Sequence, residues 1–420
     1  MTSTPAPAGG IPDAPAPGEP DPPRRTADEG AIINTYRSTS EISGRDDVND
    51  IDSILLEVRQ ETEHLVEQGG STRYTWEYEP ERQALTRLYE KAKTSQWNAS
   101  TDLDWSIEVD QDSMADHLRR ANPEVVLVRQ LAESDPSSPM HAWDDSEYHA
   151  YAFELLSYLL SNFLHGEQGA FFATTKIAEQ TPGIDAKYYA ATQVADEARH
   201  VEVFSRYLRE KLNGEYPITP HLQALLDDVI EDSRWDMTYL GMQIMVEGLA
   251  LAAFGFMRQL TNDPLLAQLL RYVMSDEARH VAFGTLSLGD VYTEMSASEI
   301  RERQEFAFEA GLRMRDRGYP YIVWERLGLD SRAQLKWWMD SVPNSASGLL
   351  FSKIVPNIKK LGLLDAGDGW LRRKYEEIDV IQFEDWTDSV TEYDALDGVA
   401  EDRLSEDGLP GDRDTETAGR

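Results

Sequence analysis

The chain has 420 residues, of which 41% are hydrophobic, and its 76 acidic against 40 basic residues give a formal net charge of −36. Such an acidic surface repels nucleic acid and anionic membranes, so we expect neither as a partner. There is no cysteine, which excludes disulfides, cysteine-ligated iron–sulfur clusters and zinc sites built from thiolates, and which fits a reducing compartment.

Both ends of the chain are predicted to be disordered. Residues 1–45 are rich in proline, glycine, alanine and charge, and residues 395–420 are acidic, so neither segment can bury enough apolar surface to fold. The first segment also lacks the apolar core of a secretory signal, and no stretch has the length and purity of a membrane span. We therefore expect a cytoplasmic protein.

The segment 46–147 is predicted to be an N-terminal helical elaboration, with helices over 47–68 and 80–97. Strand-like alternation is scarce along the whole chain, and its best short candidates are residues 74–78 and 380–383. The expected fold class is therefore all-α.

The segment 148–294 is predicted to be a four-helix bundle. Apolar periodicity indicates helices over 148–177, 186–212, 221–260 and 265–292, the third of them broken near Asp236. Turn signals at Pro182 and Pro264 separate the helices of each pair. The segment 295–394 is predicted to hold C-terminal helices packed on the bundle. A capping box of Ser296 and Glu299 opens the first of these helices, and others cover 331–339 and 347–361.

The bundle segment contains a repeated motif. The pentapeptide Asp-Glu-Ala-Arg-His occurs at 196–200 and at 276–280, and each copy has a glutamate 30 residues upstream, Glu167 and Glu247. Residues three apart on a helix share one face, so the glutamate and histidine of each copy can bind at one spot. Pro182 lies 15 residues from both Glu167 and Glu197, which puts these two glutamates at the same height in an antiparallel helix pair.

Four carboxylates and two imidazoles from four helices form the set that holds a pair of iron or manganese ions in a helix bundle. The predicted metal ligands, which are also the predicted catalytic residues, are Glu167, Glu197, His200, Glu247, Glu277 and His280. Glu167 and Glu247 lie in apolar runs, where a carboxylate is costly unless it is paired or metal-bound. The alternative is a buried salt-bridge network in which these two glutamates bond Arg199 and Arg279.

Residues beside the ligands are predicted to support them. Each motif aspartate is expected to accept the ring N–H of the histidine in the other copy, and each motif arginine to partner the aspartates. These supporting residues are Asp196, Arg199, Asp276 and Arg279. Apolar residues one turn beyond ligand positions can line a substrate pocket or simply pack as core; they are Ala170, Phe171, Phe204 and Leu251. Glu61 and His64 repeat the Glu-x-x-His spacing without a matching glutamate, and are expected on a solvated face.

With these residues in place, the chain resembles the ferritin-like di-iron carboxylate superfamily over residues 148–292. That superfamily includes ribonucleotide reductase small subunits, ligand-binding oxidases, multicomponent monooxygenase hydroxylases and arylamine N-oxygenases. Residues 88–98 resemble the helix and tryptophan segment that precede the bundle in reductase-type small subunits. The resemblance implies a ferritin-like four-helix bundle with additional N- and C-terminal helices, and the six ligands named above.

The chain departs from each subfamily at a diagnostic position. Phe204 stands where reductase small subunits carry the radical tyrosine, and Ala170 and Met242 replace the valine and tyrosine that ligand-binding oxidases cross-link. Leu251 replaces the threonine of the multicomponent hydroxylases, and Val273 replaces the third histidine of arylamine N-oxygenases. The resemblance therefore assigns the superfamily and leaves the subfamily open.

The resemblance implies an O2-activating oxidoreductase with two iron ions, or a manganese and an iron ion. O2 would be a co-substrate, and a reductase or ferredoxin would be the external electron donor. Its reaction would be oxygenation or oxidation of a small organic substrate, such as N-oxygenation, C–H hydroxylation or desaturation in specialised metabolism. The competing expectations are iron handling, as a ferroxidase without organic substrate, and a metal-bound scaffold within a larger complex. Assembly as a homodimer is left open.

Overall fold

The computed structural model of the chain describes residues 47–59, 62–212, 214–343 and 349–391. Within these ranges the regular secondary structure is helical, and the described residues contain no β-strand. The prediction of an all-α fold is therefore confirmed. The tails predicted to be disordered, 1–45 and 395–420, lie outside the described residues.

The two short strands predicted from the sequence are wrong. Residues 74–78 run along the surface without regular structure, and the rings of Tyr74 and Trp76 stack with centroids 5.7 Å apart. Residues 380–383 contain a 3₁₀ turn, Ile381–Phe383. A strand needs a hydrogen-bonded neighbour, and the described chain around both segments is helix or turn.

The helix predicted over 47–68 is also wrong. The structure has a single turn of helix there, α1 (Ile51–Ile54), and the described residues up to position 82 that follow it form a non-helical strap. Leu65 is 94% exposed, so the strap lacks the buried face that stabilises most helices in folded proteins. The strap is held by the bundle instead, because the Gly69 N–H donates to the carbonyl of Ile230 at 3.1 Å. A Cβ at position 69 would collide with the neighbouring backbone.

Three helices then precede the bundle: α2 (Gln83–Thr94), α3 (Gln111–Ala121) and α4 (Pro123–Ser134). The first agrees with the helix predicted over 80–97. It buries Leu85, Leu88 and Ala92 in the same apolar cluster as bundle residues such as Tyr189. The segment after it, which contains Trp97, therefore starts from a fixed position against the bundle.

The first helix pair of the bundle follows the prediction closely. Helix α5 (Asp145–Gln180) opens with a capping box of Asp144 and Glu147. It ends before Pro182, because the residue before a proline is pushed out of the helical region. Gly183 has a φ of 79° and turns the chain into α6 (Ile184–Tyr207), which continues as a π-helical turn, Leu208–Leu212.

The third bundle helix is interrupted, as the sequence indicated. It consists of α7 (Pro220–Glu231), α8 (Trp235–Tyr239), a π-helical segment (Leu240–Val246) and α9 (Glu247–Leu260). The break falls at 232–234, just before Asp236. There the buried ammonium of Lys176 donates to the carbonyl of Val229 at 2.9 Å and to that of Ile230 at 2.8 Å. These are among the last carbonyls of α7, which have no partner within their own helix.

Among the described residues, one helix, Trp235–Leu260, is long and apolar enough to cross a membrane, with a mean hydropathy of 1.6 over its best window. The prediction that no stretch has this length and purity is therefore wrong. The helix is the core of the bundle, since 83% of that window is buried inside the protein. Because the helix is buried on all sides, its sequence is apolar on every face.

The fourth bundle helix and the helices after it complete the fold. Helix α10 (Pro264–Leu288) is capped by Asp263, whose carboxylate accepts from two backbone N–H groups. The capping box of Ser296 and Glu299 opens the next helix as predicted. The remaining helices are α11 (Ala297–Asp316), α12 (Tyr321–Arg326), α13 (Ser331–Ser341), α14 (Ile354–Lys360) and α15 (Trp370–Glu377).

The C-terminal helices pack on the bundle. Phe306 and Ala307 of α11 share an apolar cluster with Met242 and Phe283 of the bundle, and Arg303 forms a buried ion pair with Asp236 at 2.9 Å. The helix predicted over 347–361 is a 3₁₀ turn, Leu349–Ser352, followed by α14, and residues 344–348 lie outside the described part. The division into segments 46–147, 148–294 and 295–394 stays a prediction.

Candidate metal centre

The four bundle helices bring six acidic and imidazole side chains together at mid-bundle. Two overlapping groups have potential ligand atoms that all lie within 4.8 Å of one another. One group is Glu167, Glu197, His200 and Glu277, and the other is Glu197, Glu247 and His280. These six residues are the predicted ligands, and all are buried with at most 5% of their surface exposed. Glu197 belongs to both groups, so its carboxylate faces two positions.

Both histidines point the same ring nitrogen at the carboxylates. Nδ1 of His200 lies 3.1 Å from Glu167, 3.4 Å from Glu197 and 3.2 Å from Glu277. Nδ1 of His280 lies 3.2 Å from Glu197 and 3.6 Å from Glu277. The opposite nitrogen, Nε2, points out of the cluster in each ring. Each of the two potential metal positions thus has one imidazole nitrogen available to it.

The outward nitrogens meet the aspartates of the opposite motif copy. Nε2 of His200 lies 3.2 Å from Asp276, and Nε2 of His280 lies 3.4 Å from Asp196. Burial would raise the pKa of Asp276, but its hydrogen bond with His200 and the charge of Arg279 hold that pKa far below its ordinary value. These are the pairs that the sequence analysis expected. Their effect on a bound metal stays a prediction.

The two motif arginines contact the aspartates rather than the glutamates. Arg199 lies 2.5 Å from Asp196 and 3.3 Å from Asp276, and Arg279 is hydrogen-bonded to Asp276. Among the described residues, neither arginine contacts Glu167 or Glu247. The alternative salt-bridge network is therefore absent from this part of the structure, and the positive charge lies one layer outside the glutamates.

The cluster leaves several buried ligand atoms without a hydrogen-bond partner. They are Oε2 of Glu197, Oε2 of Glu247, Oε2 of Glu277 and Nδ1 of His280. Native proteins rarely leave a buried carboxylate oxygen unsatisfied, and binding of a metal ion is one of the ordinary explanations. Carboxylate and imidazole groups are suitable ligands for iron and manganese. The donor set and its orphaned atoms therefore fit a pair of metal ions.

Crowding of the carboxylates shifts their protonation. Burial raises the pKa of Glu167 to about 8, and the charge of Glu277 adds to the rise. The pKa of Glu247 is raised well above its ordinary value by the same two causes. Burial opposes the cationic form of His200 and His280, but the surrounding carboxylates outweigh it and hold both pKa values well above the ordinary one. Without metal, the cluster keeps protons at neutral pH.

Two buried glutamines that sequence reasoning missed complete the cluster. The amide of Gln193 donates to Glu197 and to Glu247, both at 2.8 Å, and the amide of Gln243 donates to Glu247 at 3.3 Å. Each glutamine lies four residues before a ligand glutamate, hence on the same helix face. That spacing was a signal the sequence contained. Both donors act on carboxylates near His280, whereas Glu167 has no such donor among the described residues.

Trp97 and Gln96 cap the aspartate layer. The indole N–H of Trp97 donates to Asp276 at 2.8 Å, and the Gln96 amide donates to Asp196 at 3.1 Å. The Arg199 guanidinium stacks on the Trp97 ring at 4.8 Å from its centroid. The resemblance of residues 88–98 had drawn attention to this segment without a role for either side chain.

A cavity reaches the cluster, and three of the six clustered residues are part of its wall. Its lining residues are Asn162, Phe163, Gly166, Glu167, Ala170, Val246, Glu247, Ala250, Glu277 and Arg317. Of the four residues proposed for a substrate pocket, Ala170 lines this cavity. Phe204 packs in a core cluster with Phe254, Phe171 packs against Phe172, and Leu251 is buried away from the lining.

The third Glu-x-x-His spacing, at positions 61 and 64, lies outside the cluster. His64 lies on the surface strap and contacts Asp227 at 3.0 Å, with much of its side chain exposed. Glu61 lies outside the described residues. The expectation of a solvated face at this position fits the exposure of His64.

Comparisons with known proteins add a structural likeness. No family model and no curated protein sequence matches the chain. Among solved structures it is similar to an R2-like ligand-binding oxidase with an aerobically reconstituted metal cofactor after photoconversion, with 18% identity and a TM-score of 0.42. That similarity covers 66% of this chain and 91% of the other. A point mutant with an anaerobically reconstituted Mn/Fe cofactor gives 20% identity and a TM-score of 0.40, over 61% and 89%.

Proposed function

We propose that the protein is an O2-activating oxidoreductase in which two metal ions, both iron or one manganese and one iron, are held by the six clustered side chains. Its substrate is a small organic molecule, which it oxygenates or oxidises. The observation that carries the proposal is that Glu197 belongs to both groups of potential metal ligands. One carboxylate faces both histidines in a buried cluster in which one oxygen each of Glu197, Glu247 and Glu277 lacks a hydrogen-bond partner.

Different side chains of the cluster would hold the two ions. Glu167 and His200 would hold one ion, Glu247 and His280 the other, while Glu197 and Glu277 lie between the two positions. A reduced pair of such ions supplies two electrons to O2. The aspartates orient the histidine rings, and the buried surroundings keep water away from the reacting atoms.

Electrons must come from outside the chain, because it contains no cysteine for a cluster of its own. We propose a reductase or ferredoxin as the donor in a cytoplasmic setting. The hydrogen-bonded series Trp97, Asp276 and His200 connects the N-terminal segment to the cluster and offers a route for them. The competing function is iron handling without an organic substrate, which the number of irons oxidised per chain separates from the proposal.

The test begins with metal content. Protein loaded anaerobically with Fe(II) is expected to retain two ions per chain by elemental analysis, and to consume O2 in proportion to those two ions. Oxidation of many irons per chain would instead support iron handling. Glu197→Ala removes the carboxylate shared by both groups and is expected to lose at least one of the two ions.

The matched control is Glu309→Gln. Glu309 is a buried carboxylate outside the cluster that pairs with Arg313 at 3.0 Å. Its loss is expected to lower stability while leaving two ions bound. Retention of both ions and of O2 consumption in Glu197→Ala would overturn the proposal.

A further inference from the structure

Arg317 is a buried cation on the wall of the cavity beside the cluster. It directly follows α11, and it lines the same cavity as Glu167, Glu247 and Glu277. Only 8% of its surface is exposed. Its backbone carbonyl accepts the hydroxyl of Tyr158 at 2.6 Å, which fixes the main chain at this point.

The guanidinium of Arg317 has no hydrogen bond or ion pair with any residue in the described part of the chain. Other buried arginines nearby differ. Arg313, one turn earlier, pairs with Glu309 at 3.0 Å, and Arg303 pairs with Asp236 at 2.9 Å. Burial lowers the pKa of Arg317 to about 10. An uncompensated buried charge is costly, and buried charges are usually paired.

The charges around the cavity balance without Arg317. Four glutamates carry four negative charges, which two divalent ions would neutralise. In the next layer, the two motif aspartates face the two motif arginines. Among the described residues, Arg317 is then a charge on the cavity wall without a counterpart, so a ligand with one negative charge would complete the balance.

The remaining polar lining residue does not compete for such a ligand. Asn162 donates to the carbonyl of Tyr158 at 2.9 Å and accepts from Thr219 at 3.0 Å, so both ends of its amide are engaged. The other lining residues outside the glutamates are apolar or glycine. The cavity is small, so it limits the size of a ligand beside the cluster.

We propose that Arg317 binds the carboxylate of the substrate, so that the substrate class is a small organic monocarboxylate with an apolar body. This inference rests on the proposed function, whose site it deepens. A guanidinium presents a planar fork of N–H donors that matches a carboxylate in a bidentate pair. The apolar wall at Phe163, Ala170 and Val246 would contact the body of the molecule and place it beside the carboxylate cluster.

The test compares acids with their neutral amides. The probes are butanoate, hexanoate and benzoate with the corresponding amides, titrated calorimetrically into protein loaded anaerobically with Mn(II). Wild-type protein is expected to bind at least one acid at least tenfold more tightly than its amide. Arg317→Gln is expected to weaken acid binding at least tenfold and amide binding less than twofold, with two Mn ions still bound.

Two variants guard against a purely structural effect. Arg317→Lys keeps the charge but loses the fork, and is expected to keep part of the preference for the acid. Arg313→Gln removes a buried arginine that already has a carboxylate partner, and is expected to lower the melting temperature without changing acid affinity. Because Arg317 has no paired carboxylate in the described part of the chain, Arg317→Gln is expected to melt no earlier than wild type.

Unchanged acid affinity in both Arg317→Gln and Arg317→Lys, or equal affinity of wild-type protein for acid and amide, would overturn the inference. Inorganic phosphate serves as a further probe, and a preference for phosphate over every acid would also overturn it. Failure of the proposed function has a different signature, since the wild-type protein would then bind no metal pair whatever its affinity for acids.

Discussion

The two halves of the metal centre come from one repeated motif, yet their surroundings differ. A shift of 80 positions superposes the ligands and their supporting residues, so that Glu167 corresponds to Glu247 and His200 to His280. The same shift places Gln243 opposite Phe163, and Gln193 opposite Val273. Both amide donors act on carboxylates near His280, and the two residues that the shift places opposite them are apolar.

The helices differ between the halves as well. Helix α5 runs unbroken through Glu167, whereas a π-helical segment, Leu240–Val246, ends at Glu247. Gly284, which corresponds to Phe204, lets Gln243 approach, since a Cβ on Gly284 would lie 2.4 Å from the Cβ of Gln243. The duplicated motif thus repeats the ligand set, while the residues around it make the two metal positions unequal. Single π-helical turns inside α-helices are frequent at functional sites.

The largest expected effect is that of pH on metal binding. The raised pKa values of Glu167, Glu247 and both histidines mean that the metal-free cluster holds protons at pH 7. Metal binding must expel them, so affinity rises with pH. We expect Mn(II) affinity to increase about tenfold per pH unit for each proton released between pH 6 and 8. Calorimetry in buffers of different ionisation enthalpy gives the number of protons released.

One substitution distinguishes the proton release of the two halves in this measurement. Glu167→Gln replaces a titrating carboxyl of the first half by a neutral amide, and is expected to reduce the number of protons released at pH 7. Glu309→Gln, outside the cluster, should leave that number unchanged. A metal affinity independent of pH in wild-type protein would contradict the account of the cluster's protons.

The next effect concerns the aspartates behind the histidines. Asp276→Asn and Asp196→Asn each weaken the acceptor that orients one ring, and such changes typically cost about 10–100-fold in metal affinity. We expect Asp276→Asn to have the larger effect, because Asp276 lies 3.2 Å from Nε2 of His200, whereas Asp196 lies 3.4 Å from Nε2 of His280. Mn(II) binding isotherms followed by electron paramagnetic resonance give the affinity of each position.

A buried aspartate outside the centre serves as control. Asp232 pairs with Arg234 at 2.6 Å, so Asp232→Asn is expected to cost stability without changing either metal affinity. Equal losses in Asp196→Asn and Asp276→Asn would show that the difference between the two histidine–aspartate distances does not matter. An unchanged affinity in both variants would contradict the orienting role.

How much of the structure could be predicted from the sequence also depends on whether the sequence contains a repeated pattern. The bundle helices and the cluster of six were predictable, because a 3.6-residue periodicity and a duplicated motif are both written in the chain. The strap near Leu65 was not, since charged and apolar residues at helical spacing do not reveal whether a neighbour exists to bury them. Arg317 gave no signal, because an arginine among charged residues reads as surface until its burial is known.

The smallest expected effect tests whether the amide donors make the halves unequal. Gln243→Met keeps the length of the side chain but removes the donor to Glu247 at 3.3 Å. A neutral hydrogen bond contributes about 0.5–1.5 kcal/mol, so we expect the position beside His280 to lose a few-fold in Mn(II) affinity. The position beside His200 should be unchanged. The repeat supplies the matched control at Phe163, where Phe163→Leu removes no donor and should leave both affinities as they are. A loss confined to the position beside His200, or equal losses at both, would mean that the difference between the halves arises from the π-helical turn rather than from the amides.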